Sequence, residues 1–454
     1  MARPSQLPPL WSQAEPLLFN GPVSARQLAS SLSVSQPTIS RLLTLHRNQV
    51  LVVGQARSTR YVARRPIADV GPALPVFEVD DAGHTRKLAV LHGTGTRGFY
   101  VEPQCNDVDA RLHDGLPYFL DGLRPAGFLG RLLPRQHPAL GLPADIRHWS
   151  PDQTVRYLAL VGWNAVGSLI VGERAFEQYL AHALEPQEVI DDAACGVRYE
   201  QLAHDVLAGA PPGSSAAGEQ PKFLTLRTPR RHVLVKFSPP RSDAAARRWA
   251  DMLVAECLAL ETLRSFGQSS AHARLVDGRD RVFLEVDRFD RTDRGRRGVI
   301  PLEALDAEFA GTVTVGTWSA SVDELVRVGV VSPQATTRVR WLSVFGALIG
   351  NTDMHLGNLS FLTRGARVVQ LAPAYDMLPM LYAPHQGHLP ERSLAPPPPK
   401  ALDALAWEEA CVAACAFWHQ TAEHPLVSSP FRSIARTNVG VVERMRALSA
   451  HLPR

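Results

Sequence analysis

The stretch GNTDMHLGNLSF, residues 350–361, places a carboxylate, an imidazole and a carboxamide within six positions: Asp353, His355 and Asn358. A further acid, Asp376, follows in QLAPAYDMLPM. The spacing D-x-x-x-x-N with a later aspartate suits phosphoryl transfer: one carboxylate accepts the proton of an attacking hydroxyl, while the amide oxygen and the second carboxylate are hard ligands for Mg²⁺ on nucleotide phosphates. On this reading Asp353 is the catalytic base and Asn358 and Asp376 hold the metal. His355 belongs to the catalytic loop in a supporting role, hydrogen-bonding the loop backbone or the metal-binding acid. A single Asp and Asn in a polar turn would not carry this alone; the parts upstream decide it.

Those parts bear on the nucleotide. The chain has 44 arginines but only four lysines, Lys87, Lys222, Lys236 and Lys400, so a lysine marks a specific need. Residues 213–226, GSSAAGEQPKFLTL, form a small-residue loop running into a strand, whose glycines let backbone amides approach a ligand. It is not a Walker A loop, because Glu219 rather than lysine follows Gly218 and a strand follows. Ser214, Ser215, Ala216, Ala217 and Gly218 would cover ATP, Lys222 ends the loop, and Lys236 in the alternating strand HVLVKF would hold phosphates. Glu256, in the helical pattern MLVAECLALE, would orient that lysine.

At 454 residues two or three domains are expected, with 45% hydrophobic and 20% charged residues typical of a globular chain. No apolar run approaches the roughly 18 residues of a membrane span, and the N-terminus lacks a basic-then-apolar leader, so a cytoplasmic location without membrane partners is expected. Five scattered cysteines argue against a disulfide framework or a cysteine-based zinc site. Residues 1–65 hold eight arginines against the single acid Glu15, which makes this segment +7 and leaves −3 for the rest of a chain whose net charge is +4. An anionic partner at that end is implied.

Within that segment, Ser24 and Ser35 are N-cap candidates, each before a short amphipathic pattern, and Pro37 sits in the first turn of the second. Two strand-like runs, VLVV and RYVA, flank GQARST. Helix, turn, helix and hairpin make a winged helix-turn-helix. In it Gln36, Thr38, Ser40 and Arg41 would face DNA from the recognition helix, and Arg57 and Arg60 from the wing. Nucleoid association is then open to the protein. Residues 66–200 read as a β-rich lobe with one helix near DQTVRYLALVGW, GLPYFLDGLRP and GSLIVGE being taken as turns and strands. Beyond 245 helical patterns dominate.

The motifs SAAGEQPKF, VLVKF, LEVDRFDR, GNTDMHLGNLSF and LAPAYDMLP resemble the HipA family of serine/threonine kinase toxins over roughly residues 75–450. The resemblance implies an α+β fold: a winged helix-turn-helix over 1–66, a HipA-like N-lobe with its Gly-rich loop over 75–245, and a helical C-lobe with catalytic and metal-binding loops over 246–454. It implies ATP and Mg²⁺ as cofactors, Asp353 as catalytic aspartate, Asn358 and Asp376 as metal ligands, and Lys236 on the phosphates assisted by Lys222. Ser215, or its neighbour Ser214, would be autophosphorylated. The implied substrate class is an aminoacyl-tRNA synthetase, and an antitoxin protein and a homodimer are further partners the resemblance admits. Three features depart from the family pattern: an alanine-richer loop, Asn164 where Asp is common, and Leu356-Gly357 in place of a basic residue. The alternative reading is a DNA-binding transcriptional regulator whose kinase-like body senses a ligand without catalysis.

Overall fold

The computed structural model describes residues 7–95, 97–209, 220–312 and 316–451, which form a mixed α+β chain with three sheets. The N-terminal helices are Leu7–Phe19, Ala25–Ser31 and Gln36–Leu45. Ser24 caps the second through a capping box, its Oγ 3.2 Å from the Gln27 amide and its own amide donating to Gln27 Oε1 at 2.9 Å. Ser35 caps the third. Leu28, Ile39 and Leu42 are fully buried with Ala14 and Leu18. The first helix was not foreseen. Two prolines near its start and Pro16 inside it read as breakers, yet Leu10, Ala14 and Leu18 recur every four residues and are buried against the pair that follows.

Strands β1 (Val50–Val53) and β2 (Arg60–Arg65) form the expected antiparallel hairpin. Gly54, at φ +77, is required at its bend, because a Cβ there would come within 2.6 Å of the Ser58 carbonyl oxygen. The hairpin and the three helices share a hydrophobic cluster of their own, and the hairpin also continues into the next sheet. The end of β2 pairs with β4 (Thr85–Thr94), Arg64 opposite Thr94 and Arg65 opposite Gly93, which joins it to a seven-stranded sheet. That sheet contains β3 (Ala73–Val79), β5 (Gly98–Pro103), β6 (Arg111–His113) and β7 (Leu169–Val171). Leu51, Val53 and Val62 of the hairpin bury against Tyr100, and Arg65 donates to Asp152 at 2.6 and 2.8 Å. Apolar burial on the hairpin's second face is the physical reason for this junction.

Arg65→Met is expected to cost about 3 kcal/mol, since hydrogen bonds to charged groups contribute about 1.5–3 kcal/mol each. Hydrogen exchange should show faster opening of the β2–β4 pairing; unchanged protection would leave the joint to the sheet and its apolar contacts alone.

The second sheet has the order β11-β12-β10-β9-β8, built from β8 (Val189–Ile190), β9 (Lys222–Arg227), β10 (Arg231–Phe237), β11 (Ala273–Asp277) and β12 (Val282–Asp287). Residues 245/246 fall inside this sheet's connectivity, because the helix Ala244–Ser265 leads back to β11 and β12, which complete the sheet beside β10. A local pattern reports helix or strand but not which strand it pairs with. A correction concerns GLPYFLDGLRP, where Pro117 starts a short helix over Tyr118–Asp121 that buries Phe119 and Leu120.

The third sheet comprises β13 (Gly298–Pro301), β14 (Ser360–Arg364) and β15 (Arg367–Leu371), and the long helices Gln334–Leu348, Ala404–Glu423 and Ser429–Ala447 pack in sequence on one another. Cys411 is fully buried in the alanine-rich helix, and all five cysteines are free thiols. Among the described residues no helix is long and apolar enough to cross a membrane.

Candidate active site

Lys236 lies near the end of β10, opposite Lys222 of β9 and Leu284 of β12. Its side chain meets the helix Ala244–Ser265, which Asp243 caps by accepting from the Ala246 amide at 2.8 Å. There Lys236 Nζ donates to both oxygens of Glu256, at 2.6 and 2.8 Å, and also to Asp376 Oδ1. The Lys236 and Glu256 side chains are 7% and 1% exposed, and that of Asp376 is 32% exposed. An acid on a helix face thus finds the ammonium the sequence suggested.

The opposite wall starts where the helix Gln334–Leu348 stops. Gly350 takes φ +76, a left-handed conformation that glycine adopts at no steric cost, and the chain turns into GNTDMHLGN. Asn351 is buried and pins two segments at once: its Oδ1 accepts from the Asp353 amide at 3.0 Å, and its Nδ2 donates to the Asp376 carbonyl at 3.4 Å. Asn358 Nδ2 donates to the Asp353 carbonyl at 2.8 Å. Tyr375 Oη donates to the Gly357 carbonyl at 2.9 Å and lies 2.7 Å from Ser360 Oγ. His355 Nδ1 accepts from the Gly357 amide at 3.1 Å, and the His355 carbonyl accepts from Trp318 Nε1 at 2.8 Å. His355 thus braces the loop backbone. Asp353 itself is exposed, and neither contact of its backbone uses its carboxylate.

Asp376 has φ +50, a left-handed conformation rare outside glycine but tolerated by aspartate, and such strain concentrates at functional sites. Burial opposes its charge, but Lys236 and Lys222 outweigh that and bring its carboxyl down to about 2. Burial likewise disfavours the Lys236 ammonium, yet Asp376 and Glu256 hold its pKa above the usual lysine value. Glu256 shifts upward, because burial and the nearby Asp376 charge exceed the help from Lys236.

The structure thus brings together Lys236, Glu256, Asp376, Asp353, His355 and Asn358, with Lys222 on the neighbouring strand. Ser214, Ser215, Ala216, Ala217 and Gly218 lie outside the described residues. Among the described residues no group of three or more His, Cys, Asp or Glu side chains could by itself hold a metal ion. Magnesium on a nucleotide does not need one: it is held by one or two protein oxygens together with phosphates and water, and the Asn358 amide oxygen with the partly exposed Asp376 carboxylate fits that donor set. Sequence reasoning missed Asn351, Tyr375 and Trp318. Asn351 and Tyr375 stand inside or beside the quoted motifs, but only contacts across 25 and 18 residues reveal what they brace.

Of the DNA-facing candidates, Gln36, Ser40 and Arg41 are exposed on one helix and Arg57 is exposed at the hairpin tip. Arg60 is half-buried and donates to the Thr59 carbonyl. Thr38 is also half-buried, its hydroxyl 2.9 Å from that of Ser35.

Residues 70–180 match the model of the YjjJ-like toxin middle domain, and residues 214–430 match the HipA-like C-terminal domain. The Escherichia coli (strain K12) protein Toxin YjjJ is 38% identical over 432 residues, covering 94% of this chain and 96% of that protein. The chain belongs to the YjjJ-like family of HipA-domain toxins. Two solved structures are more distantly similar. One is the Shewanella oneidensis toxin HipA in complex with HipB and operator DNA, at 13% identity and TM-score 0.47 over 83% of this chain and 97% of that one. The other is the Helicobacter pylori proinflammatory kinase CtkA, at 12% identity and TM-score 0.38 over 51% and 92%. In this YjjJ-like chain the Asn164 that departs from the HipA pattern accepts from Arg291 Nη2 at 3.1 Å, so the position anchors the arginine that closes LEVDRFDR.

Proposed function

We propose that this YjjJ-like toxin is an ATP- and Mg²⁺-dependent serine/threonine protein kinase with its own DNA-binding unit. The observation that carries the reading is Lys236, bound at once to Glu256 from the neighbouring helix and to Asp376 from the opposite wall. Asp353 accepts the proton of a substrate hydroxyl, its carboxylate being unengaged by the contacts that hold its turn. Asn358 and Asp376 would hold Mg²⁺, which would supply positive charge to offset that of the nucleotide phosphates. Lys236 keeps Glu256 and turns from Asp376 to the phosphates. Autophosphorylation of Ser215, or Ser214, would add about −1.5 to −2 charges beside those phosphates and shut the site by repulsion.

Purified protein given γ-labelled ATP and Mg²⁺ should transfer label to itself at Ser214 or Ser215. Binding of ATP without transfer would instead favour the silent, ligand-sensing regulator. The resemblance points to an aminoacyl-tRNA synthetase as the target; a phosphoproteome after brief expression tests that, and absence of any translation component among the new sites would reject it.

For the DNA arm, the +7 charge of residues 1–65 and the exposed Arg41 and Arg57 support binding without a separate DNA-binding antitoxin. With about four phosphates neutralised, log K should fall against log salt with a slope of roughly −4, and Arg41→Ala with Arg57→Ala should flatten it by about 2. An unchanged slope in the double variant would point to protein docking at this face.

A further inference from the structure

The turn after β12 carries charges that the phosphoryl-transfer site does not use. Arg288 and Arg291 both pair with Asp290, at 2.8 and 2.6 Å, and these three side chains are between 4% and 9% exposed. Arg296 is 4% exposed and has no ion pair among the described residues. Its Nη2 donates to the Trp163 carbonyl at 2.8 Å, its guanidinium lies 4.6 Å from the centre of the Tyr179 ring, and its buried Nη1 has no hydrogen-bond partner. Its position is fixed by the backbone, since the Arg296 amide donates to the Asp80 carbonyl at 2.8 Å and a Cβ on Gly295 would overlap that carbonyl.

Arg288 and Arg291 therefore share one carboxylate and Arg296 has none among the described residues, which leaves these four side chains with a surplus of two positive charges in a buried setting. Such charge is expensive to bury without a counter-ion. The group opens onto a cavity of about 650 Å³ lined also by Trp163, Tyr179 and His232, a size within the range of small-molecule sites. Burial, with Arg291 and Arg288 nearby, lowers the pKa of His232 to about 4, so its neutral ring offers hydrogen bonding without more charge. His232 stands four residues along β10 from Lys236, about 13 Å at ~3.3 Å per residue, so this groove is distinct from the phosphate end of the kinase cleft.

We propose that this groove binds a small molecule bearing a phosphate monoester, with Arg296 Nη1 as its buried anchor. A phosphate monoester brings about −1.5 to −2 charges and three acceptor oxygens, which answers the surplus of two; a carboxylate brings half the charge. The planar fork of arginine suits that geometry. The proposal does not depend on the kinase reading.

The test is calorimetric titration of the full chain with inorganic phosphate and with a nucleoside 5′-monophosphate, at constant ionic strength. Saturable binding is expected in the unaltered chain and in Lys222→Ala. Arg296→Gln should weaken it at least about tenfold, through loss of charge-assisted hydrogen bonds. Should that variant not fold, Arg296→Lys, which keeps the charge but loses the fork, should still weaken binding measurably. Equal affinity in the Arg296 variants and the unaltered chain, or no saturable binding at all, overturns the proposal. Loss of binding in Lys222→Ala with retention in Arg296→Gln would place the phosphate in the kinase cleft and overturn it equally. A failed kinase assay leaves each of these outcomes unchanged.

Discussion

Asp353→Ala is expected to lower transfer of label from ATP to a protein hydroxyl by roughly 10² to 10⁴, the usual contribution of a positioned general base. Its melting temperature should stay that of the unaltered protein. The turn around Asp353 is held by Asn351 through the Asp353 amide and by Asn358 through the Asp353 carbonyl, so deleting the exposed carboxylate breaks neither bond. ATP binding should persist, because Lys236, Asn358 and Asp376 are untouched. Growth inhibition on expression should fall with transfer. A variant that still labels its targets and still arrests growth at the original rate would remove Asp353 as the base and the kinase reading with it.

Lys236→Met should show the largest combined effect, losing both nucleotide binding and about 3–5 kcal/mol of stability. The stability loss arises because Glu256, 1% exposed, would keep a carboxylate in the interior with its cation gone and Asp376 beside it. Lys236→Met with Glu256→Leu separates the two losses. Replacing a buried ion pair by apolar residues of similar size is often neutral or stabilising, so the double variant should recover most of the stability while staying inactive. Denaturant unfolding measures the first quantity and labelled ATP the second. If the single variant unfolds at the same denaturant concentration as the unaltered chain, the ion pair does not bear the load the geometry assigns to it.

Much of the candidate site was legible because its spacing is local. Asp353 to Asn358 is one turn of chain, so residue type and separation already place a carboxylate and an amide on the same loop. The caps at Ser24 and Ser35 were legible for the same reason, each hydroxyl answering an amide three residues on. The pairing of Lys236 with Glu256 could be suspected from the scarcity of lysine and an acid beside an apolar helix face. That Asp376 closes on the same ammonium could not, since 140 residues separate them.

What the sequence determined by itself was a set of residue types and elements: carboxylates and an amide clustered in one stretch of chain, two capped helices, a hairpin, a basic front end. Only the tertiary structure decided how those elements share sheets. β11 and β12 complete the sheet of β8, β9 and β10 across the helix Ala244–Ser265, and the hairpin became part of the seven-stranded sheet. The first helix formed despite its prolines because Leu10, Ala14 and Leu18 had a surface to bury against. The unanswered charge at Arg296 is likewise invisible in a chain so rich in arginine. The physical reason is common to all of these: hydrogen-bond caps and motif spacing are settled within a few residues, whereas strand pairing, burial and charge balance depend on partners that only folding brings near.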